Sequence, residues 1–391
     1  MEVERLRGSP IGSLVRIRGH DARFMQDYDH WAYVPNPLPP TVELRPSTWS
    51  MVGEAMLALG RLDQAGRQLP DPAMLRRPTL RSEAQATSAL EGTYAALSDV
   101  LEAEPGDAPE QLSPQLREVL NYVRMAEFAY AEVVQRPISL GLVLDLHRLL
   151  VARTAADGPM AGAVRTHQVV IGGPRTPVPK ARFVPPPPGP DLFEALRDWV
   201  SWVGEPSELN IVVRAALAHY QFEALHPFHD GNGRIGRLLI VLQLLRAGVF
   251  REPLLTISPW FESRRRDYQD HLQHLSETGD WDQWVAFFAE GVRDQAASTA
   301  DKVSLLLAYQ EATIRTARDQ GLRGLALDLV ESLIGRPVFS ISTVAELHAV
   351  TRQAASAAVG RLVDLKILRE TTGGNYARVF AADEVVGILE A

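Results

Sequence analysis

From residue 49 to residue 136, apolar side chains recur at spacings of three and four, as in Met51, Met56, Leu59 and Leu62. That is the repeat of a helix with one buried face. Ser113 followed by Pro114 reads as an N-cap with proline in the first helical position. Further helices are predicted over 140–150, 191–203, 208–225 and 234–247. The second carries Leu192, Leu196, Trp199 and Val203 on one face, and the last is closed by Gly248. Helices over 262–275 and 281–296, and a long one reaching Arg318, complete a helical body. Between 158 and 190 the pattern changes. Residues 166–171 read as a strand, Gly172, Gly173, Pro174 and Pro177 as a turn, 182–184 as a return strand, and Pro185 to Pro188 as a stiff exit. Together they predict a β-hairpin flap.

The two ends differ from this body. Pro35, Pro37, Pro39 and Pro40 around Asn36 predict an extended arm over 1–48 rather than a domain. Beyond 321 the pattern gives a helix stopped by Gly335 and Pro337, a strand over 338–341, a helix capped by Ser342 and a helix capped by Thr351. Strands over 367–371 and 376–380 then flank Gly373 and Gly374. This order is that of a winged helix-turn-helix. The expected organisation is mainly α: an arm (1–48), a helical subdomain (49–136), a core holding the flap (137–300), a linker helix (301–320) and a winged helix (321–391).

Composition narrows the chemistry. A net charge of -8 opposes chain-wide affinity for nucleic acid or anionic membrane, so an anionic ligand must be met by a focused site. The absence of cysteine removes disulfides, thiolate nucleophiles and thiolate metal ligands, and suits a reducing compartment. Residues 1–18 lack the continuous apolar core of an export signal. The most apolar run, 238–245, contains Gln243 and stops at Arg246, short of the roughly 20 residues of a bilayer-spanning helix. A cytoplasmic location without membrane attachment is expected.

The densest local signal runs from His226 through Pro227, Phe228, His229, Asp230, Gly231, Asn232, Gly233, Arg234, Ile235 and Gly236 to Arg237. It lies between two helical segments and reads as a helix end, a glycine-rich loop and a helix start, which gathers backbone N–H groups in one concave place. Gly231 and Gly233 let the backbone approach phosphate, and the helix start adds an attraction of roughly 0.3–1 kcal/mol. Arg234 and Arg237 supply guanidinium forks for phosphate oxygens. Asp230 offers a hard oxygen suited to Mg2+, and His226 can take a proton from a hydroxyl near neutral pH. A competing reading has His226, His229 and Asp230 ligating a transition metal in a metallohydrolase.

The segment resembles the signature of the Fic family: His-Pro-Phe, two variable residues, Gly-Asn-Gly-Arg, one variable residue, then Gly-Arg. Every fixed position matches. The resemblance implies a Fic-type helical bundle that transfers AMP from ATP, with Mg2+, to a Ser, Thr or Tyr hydroxyl of a protein target or of the chain itself. By it His226 is the general base, Asp230 the metal ligand, and Gly231, Asn232 and Gly233 the cradle for the α and β phosphates. Arg234 binds the β phosphate, Arg237 the γ phosphate, and Phe228 anchors the loop. Ser263 stands where relatives often carry an asparagine on the adenine side. Relatives that use UTP, CDP-choline or a phosphate, and removal of AMP as a second activity, remain alternatives.

Upstream, Thr87, Glu91 and Gly92 resemble the family's inhibitory motif, placed by sequence in a helix over 82–101. By the resemblance Glu91 pairs with Arg237 and displaces the γ phosphate. In the flap, Gln168, Val169, Val170 and Ile171, with Arg182 and Phe183, form an edge able to pair with an extended target segment. The tail holds seven Lys or Arg against eight Asp or Glu, which favours protein docking or a homodimer. DNA binding through Arg352, Gln353 and Arg361 is the competing reading.

Overall fold

The computed structural model describes residues 2–67, 73–103, 112–173, 176–372 and 378–391. Two compact units are distinguished, one of residues 1–58, 124–249 and 260–294, the other of 59–123, 250–259 and 295–391.

A short helix, α1 (Val3–Leu6), precedes a hairpin of β1 (Gly12–Asp21) and β2 (Gln26–Pro35), paired antiparallel from Gly12 with Pro35 to Asp21 with Gln26. This corrects the extended arm expected over 1–48. Charged positions hid a two-residue alternation. Arg16 and Arg18 project outward onto Asp29, whereas Ile17 and Ala32 are buried in a cluster with Val178, Ala181 and Val184. The flap therefore has an apolar floor supplied by the hairpin. Its own two segments meet at one bridge, Ile171 with Phe183, whose N–H groups donate to each other's carbonyls at 2.9 and 3.0 Å. A 3-10 turn, Val178–Lys180, lies between them. Pro174 falls outside the described residues.

The helical body follows: α2 (Pro46–Arg67), α3 (Ala73–Leu90), α4 (Leu97–Glu102), α5 (Pro114–Gln135), α6 (Leu140–Val151), α7 (Pro190–Gly204), α8 (Ile211–Leu225) and α9 (Asn232–Arg246). Capping explains several starts. The Ser113 hydroxyl accepts the Leu116 N–H, the Ser139 hydroxyl the Leu142 N–H and the Asn210 side chain the Val212 N–H, each satisfying a donor with no partner inside its helix. The helix carrying Thr87 stops at Leu90 instead of continuing to Leu101. The Glu91 and Gly92 N–H groups turn back onto the Ser88 and Ala89 carbonyls, and Gly92 takes φ +90°, a left-handed conformation that ends a helix at little cost only for glycine.

Then come α10 (Ser258–Ser263), α11 (Arg265–Thr278) and α12 (Trp281–Asp319). The last is one helix of 39 residues, so the linker expected from residue 301 is its continuation. The second unit ends in α13 (Leu325–Ser332), β3 (Val338–Ser340), α14 (Ile341–Leu347), α15 (Arg352–Asp364), β4 (Arg369–Glu370), β5 (Val379–Ala381) and α16 (Asp383–Glu390), with an antiparallel sheet in the order β3-β5-β4. Ser340 rather than Ser342 caps α14, and Thr351 caps α15. Gly373, Gly374 and Tyr376 lie outside the described residues. Among the described residues no helix is long and apolar enough to cross a membrane.

Candidate active site

The site grows from the end of α8. Two indoles brace that helix, Trp199 donating to the Ala218 carbonyl and Trp284 to the Ala216 carbonyl, both at 2.8 Å. The helix ends at His226, whose φ of +49° and ψ of +60° are left-handed. For an L residue this conformation costs about 1–2 kcal/mol, so surrounding contacts must hold it. The His226 N–H still donates to the Phe222 carbonyl at 3.0 Å. Its Nδ1 faces the Glu223 carbonyl at 3.4 Å, an acceptor only, which favours the proton on Nδ1 and leaves Nε2 to accept one.

The loop after His226 is closed by its own side chains. Phe228 is fully buried, with its ring flat against His147 at 4.1 Å and 6°. Asn232 ties the loop on both sides: its oxygen accepts the Phe228 N–H at 2.8 Å and its amide donates to the Phe228 carbonyl at 2.9 Å. Asp230 accepts the Gly231 N–H at 2.7 Å and the Arg234 guanidinium at 3.0 Å. Gly231 takes φ +79°, and a Cβ there would stand 2.6 Å from Leu150, so both torsion and space require glycine. Ile235 is the first α9 residue whose N–H reaches back, to the Gly231 carbonyl at 3.0 Å. The N–H groups of Asn232 and Gly233 thus stand at the open, electropositive end of the helix. Arg234 and Arg237 are 3% and 2% exposed in the first two turns of α9, and the Arg234 guanidinium stands at the loop through its bond to Asp230. Gly236 lets α9 lie close on α8, since a Cβ would meet Glu223 at 2.5 Å and Phe222 at 3.2 Å.

His226, Phe228, Asp230, Gly231, Asn232, Gly233, Arg234 and Arg237 therefore occupy one helix-loop-helix in the first unit. The flap residues lie in the same unit. The Gln168 amide donates to the Val169 and Pro185 carbonyls, Val170 packs on the hairpin cluster, and Arg182 reaches Asp270 at 2.5 Å. The Ser263 hydroxyl donates to the Trp260 carbonyl and accepts from Arg264. Thr87, Glu91 and Gly92 belong to the second unit, at the end of α3, where Thr87 is fully buried. Among the described residues no three His, Asp or Glu side chains gather as a metal site. The His229 ring instead lies against His167 at 3.7 Å.

Residues 49–131 match the Fic/DOC family N-terminal region and residues 137–244 match the Fic/DOC family itself. The chain carries a Fic domain. "Protein adenylyltransferase fic-1" of Caenorhabditis elegans is 36% identical over 155 residues, 39% of this chain and 27% of that protein. "Protein adenylyltransferase Fic" of Drosophila virilis is 34% identical over 176 residues, 44% of this chain and 32% of that protein. The chain thus spans about a quarter to a third of the length of these curated relatives. A crystal structure of a Fic family protein from Desulfovibrio desulfuricans covers 88% of this chain and 98% of its own, with a TM-score of 0.56 at 22% identity, which supports the shared fold.

Two features around the site lay outside what the sequence suggested, the hairpin beneath the flap and the packing of His147, and Arg165 was legible only as part of the flap border that runs from Gly162. His147 stacks on Phe228 and its Nδ1 accepts the Gly162 N–H at 2.9 Å. The apolar face of α6, with Leu142, Leu146 and Leu150 buried around it, was the available signal, since a histidine there must be packed. Arg165 is buried with no carboxylate facing it among the described residues, and its guanidinium is spent on main-chain carbonyls.

The buried histidines give the Fic domain a pH dependence. Burial, with Arg237 nearby, lowers His219 from its ordinary 6.5 to about 3. Burial likewise brings His147 and His229 to about 4. Between these values and 6.5 the unfolded chain binds protons that the folded chain does not, so stability is full above this window and falls as pH drops through it. Thermal unfolding midpoints should be level above neutrality and fall from about pH 6.5 toward pH 4. A midpoint unmoved across that range would contradict the burial of these rings.

Proposed function

We propose that this protein is an adenylyltransferase that moves AMP from ATP to a Ser, Thr or Tyr hydroxyl of a protein. The supporting observation is a single histidine at the end of α8, its Nδ1 turned to a carbonyl, immediately before the glycine-rich turn that opens α9. Residues 137–244 match the Fic/DOC family, and relatives named protein adenylyltransferase are 34–36% identical to parts of this chain.

In this reading the His226 Nε2 takes the hydroxyl proton as the oxygen attacks the α phosphorus. The new O–P bond forms while the bond to the bridging oxygen breaks, and pyrophosphate departs. The N–H groups of Asn232 and Gly233 hold the α and β phosphates, Arg234 grips the β phosphate and Arg237 the γ phosphate, so charge develops among donors already in position. The Asp230 side chain is 50% exposed, and one accessible carboxylate suits Mg2+, which keeps several waters and otherwise binds phosphates. When bound, the ion would neutralise phosphate charge. Ser263 serves the adenine side, and the flap segment from Gln168 to Ile171 receives the target as an added strand.

Glu91 is inhibitory in this reading: it competes with the γ phosphate for Arg237, with Thr87 and Gly92 shaping the helix end that presents it. Purified wild type, Glu91→Gly and His226→Ala proteins, incubated with magnesium and each of ATP, UTP and CDP-choline, test both points by mass spectrometry. Glu91→Gly should carry more AMP than wild type, by about tenfold, a coupling of about 1.4 kcal/mol, and His226→Ala far less than wild type. Equal labelling of wild type and Glu91→Gly would remove Glu91 from the inhibitory role, and labelling from UTP alone would change the donor. The tail is assigned to docking or homodimer formation, because α15 exposes only Arg352 and Arg361 as basic groups. A salt-dependent gel shift would reverse that assignment in favour of DNA.

A further inference from the structure

We propose that Arg165 is a positioning residue that sets the backbone of His226 and fastens the catalytic loop to the base of the flap. The inference rests on the adenylyltransferase reading for its kinetic part and on geometry alone for the rest. A helix end leaves its last carbonyls without partners, and at the end of α8 a single residue takes three in succession. The Arg165 guanidinium donates through Nε to the His226 carbonyl at 2.8 Å and through Nη2 to the Leu225 carbonyl at 3.5 Å, while its main-chain N–H donates to the Pro227 carbonyl at 2.9 Å. On its other side Nη1 reaches the His167 carbonyl at 3.3 Å and Nη2 the Pro186 carbonyl at 2.5 Å. These last two carbonyls begin and end the flap.

Arg165 is 1% exposed. Burial lowers its pKa to about 10, so it stays charged at neutral pH. A buried cation is costly to keep, and its position at a helix C-terminus recovers part of that cost. What the arrangement achieves is torsional. His226 sits in a left-handed conformation that its own residue type disfavours, and the hydrogen bond from Nε fixes the peptide plane that follows it. The direction of the imidazole is set from that backbone. Lysine cannot replace the planar fork, because one ammonium cannot span carbonyls on both the loop and the flap.

The test uses the full chain with Arg165→Lys and Arg165→Ala, each made in the Glu91→Gly protein. Two quantities are read: self-adenylylation kinetics and the imidazole NMR signals of His226, His147 and His219, assigned by single replacements. The His226 signal should shift or split in both variants while those of His147 and His219 hold. The transfer rate should fall on the order of tenfold to a hundredfold, as expected for a misplaced catalytic group, with the KM for ATP unchanged. Added methylguanidinium should restore part of the rate of Arg165→Ala. An unmoved His226 signal with a native rate overturns the proposal, as does displacement of all three signals together or loss of folding in both variants, since each makes Arg165 a general structural brace. If the Glu91→Gly parent transfers no AMP yet the His226 signal alone moves, Arg165 keeps its positioning role and the adenylyltransferase reading fails.

Discussion

Replacing His226 by alanine should lower AMP transfer by roughly 10²–10⁴-fold, the usual worth of a general base, while ATP affinity stays near that of the parent. The two effects separate because, in the proposed reading, the imidazole takes the proton of the hydroxyl to be modified, whereas the phosphates are held by the start of α9 with Arg234 and Arg237. His226→Asn is the sharper control. Asparagine tolerates left-handed backbone better than alanine does, so the end of α8 at φ +49° is kept while the proton acceptor is lost. Rates should be measured in the Glu91→Gly protein, and nucleotide affinity by calorimetry. A His226→Asn protein that transfers AMP at more than about a tenth of the parent rate would exclude proton abstraction by this ring.

Phe228→Ala should cost about 3–5 kcal/mol of stability, the range for removing a fully buried aromatic ring. The side chain is 0% exposed and lies flat on His147 on one side, with Phe222 6.5 Å away on another. Its removal would leave a void beneath the loop that Asn232 closes, and two polar groups, the His147 ring and the Gly162 N–H it holds, would border that void. Phe228→Leu refills most of the volume and should lose less. Urea unfolding midpoints with unchanged slopes would read the difference. A loss within about 1 kcal/mol for the alanine variant would mean that the ring fills space without anchoring the loop.

The helical body was legible because helices advertise themselves locally. Spacing of three and four, Ser113 before Pro114, and glycine after 247 are all written within a few residues of what they determine. The residues from His226 to Arg237 were legible for the same reason: the cradle is built by one continuous segment. What escaped depended on partners distant in sequence. The hairpin over 12–35 alternates by charge as much as by hydrophobicity, and its inner face is defined only by Val178, Ala181 and Val184. Arg165 looks like an ordinary flap-border arginine until carbonyls 2, 21 and 61 positions away converge on it. The end of α3 at Leu90 turned on a glycine torsion that the apolar spacing across Glu91 and Gly92 concealed.

The hairpin has a further consequence for association. Where the flap returns, the Val184 carbonyl already accepts the Tyr33 N–H at 2.9 Å, so that carbonyl is taken and cannot pair with an incoming strand. On the outer strand, Arg16 and Arg18 are drawn to Asp29 and line the rim with charge, which discourages sideways stacking of copies into aggregates. A sheet this small, left bare, would recruit neighbours indiscriminately; buttressed here, it limits where another chain can join.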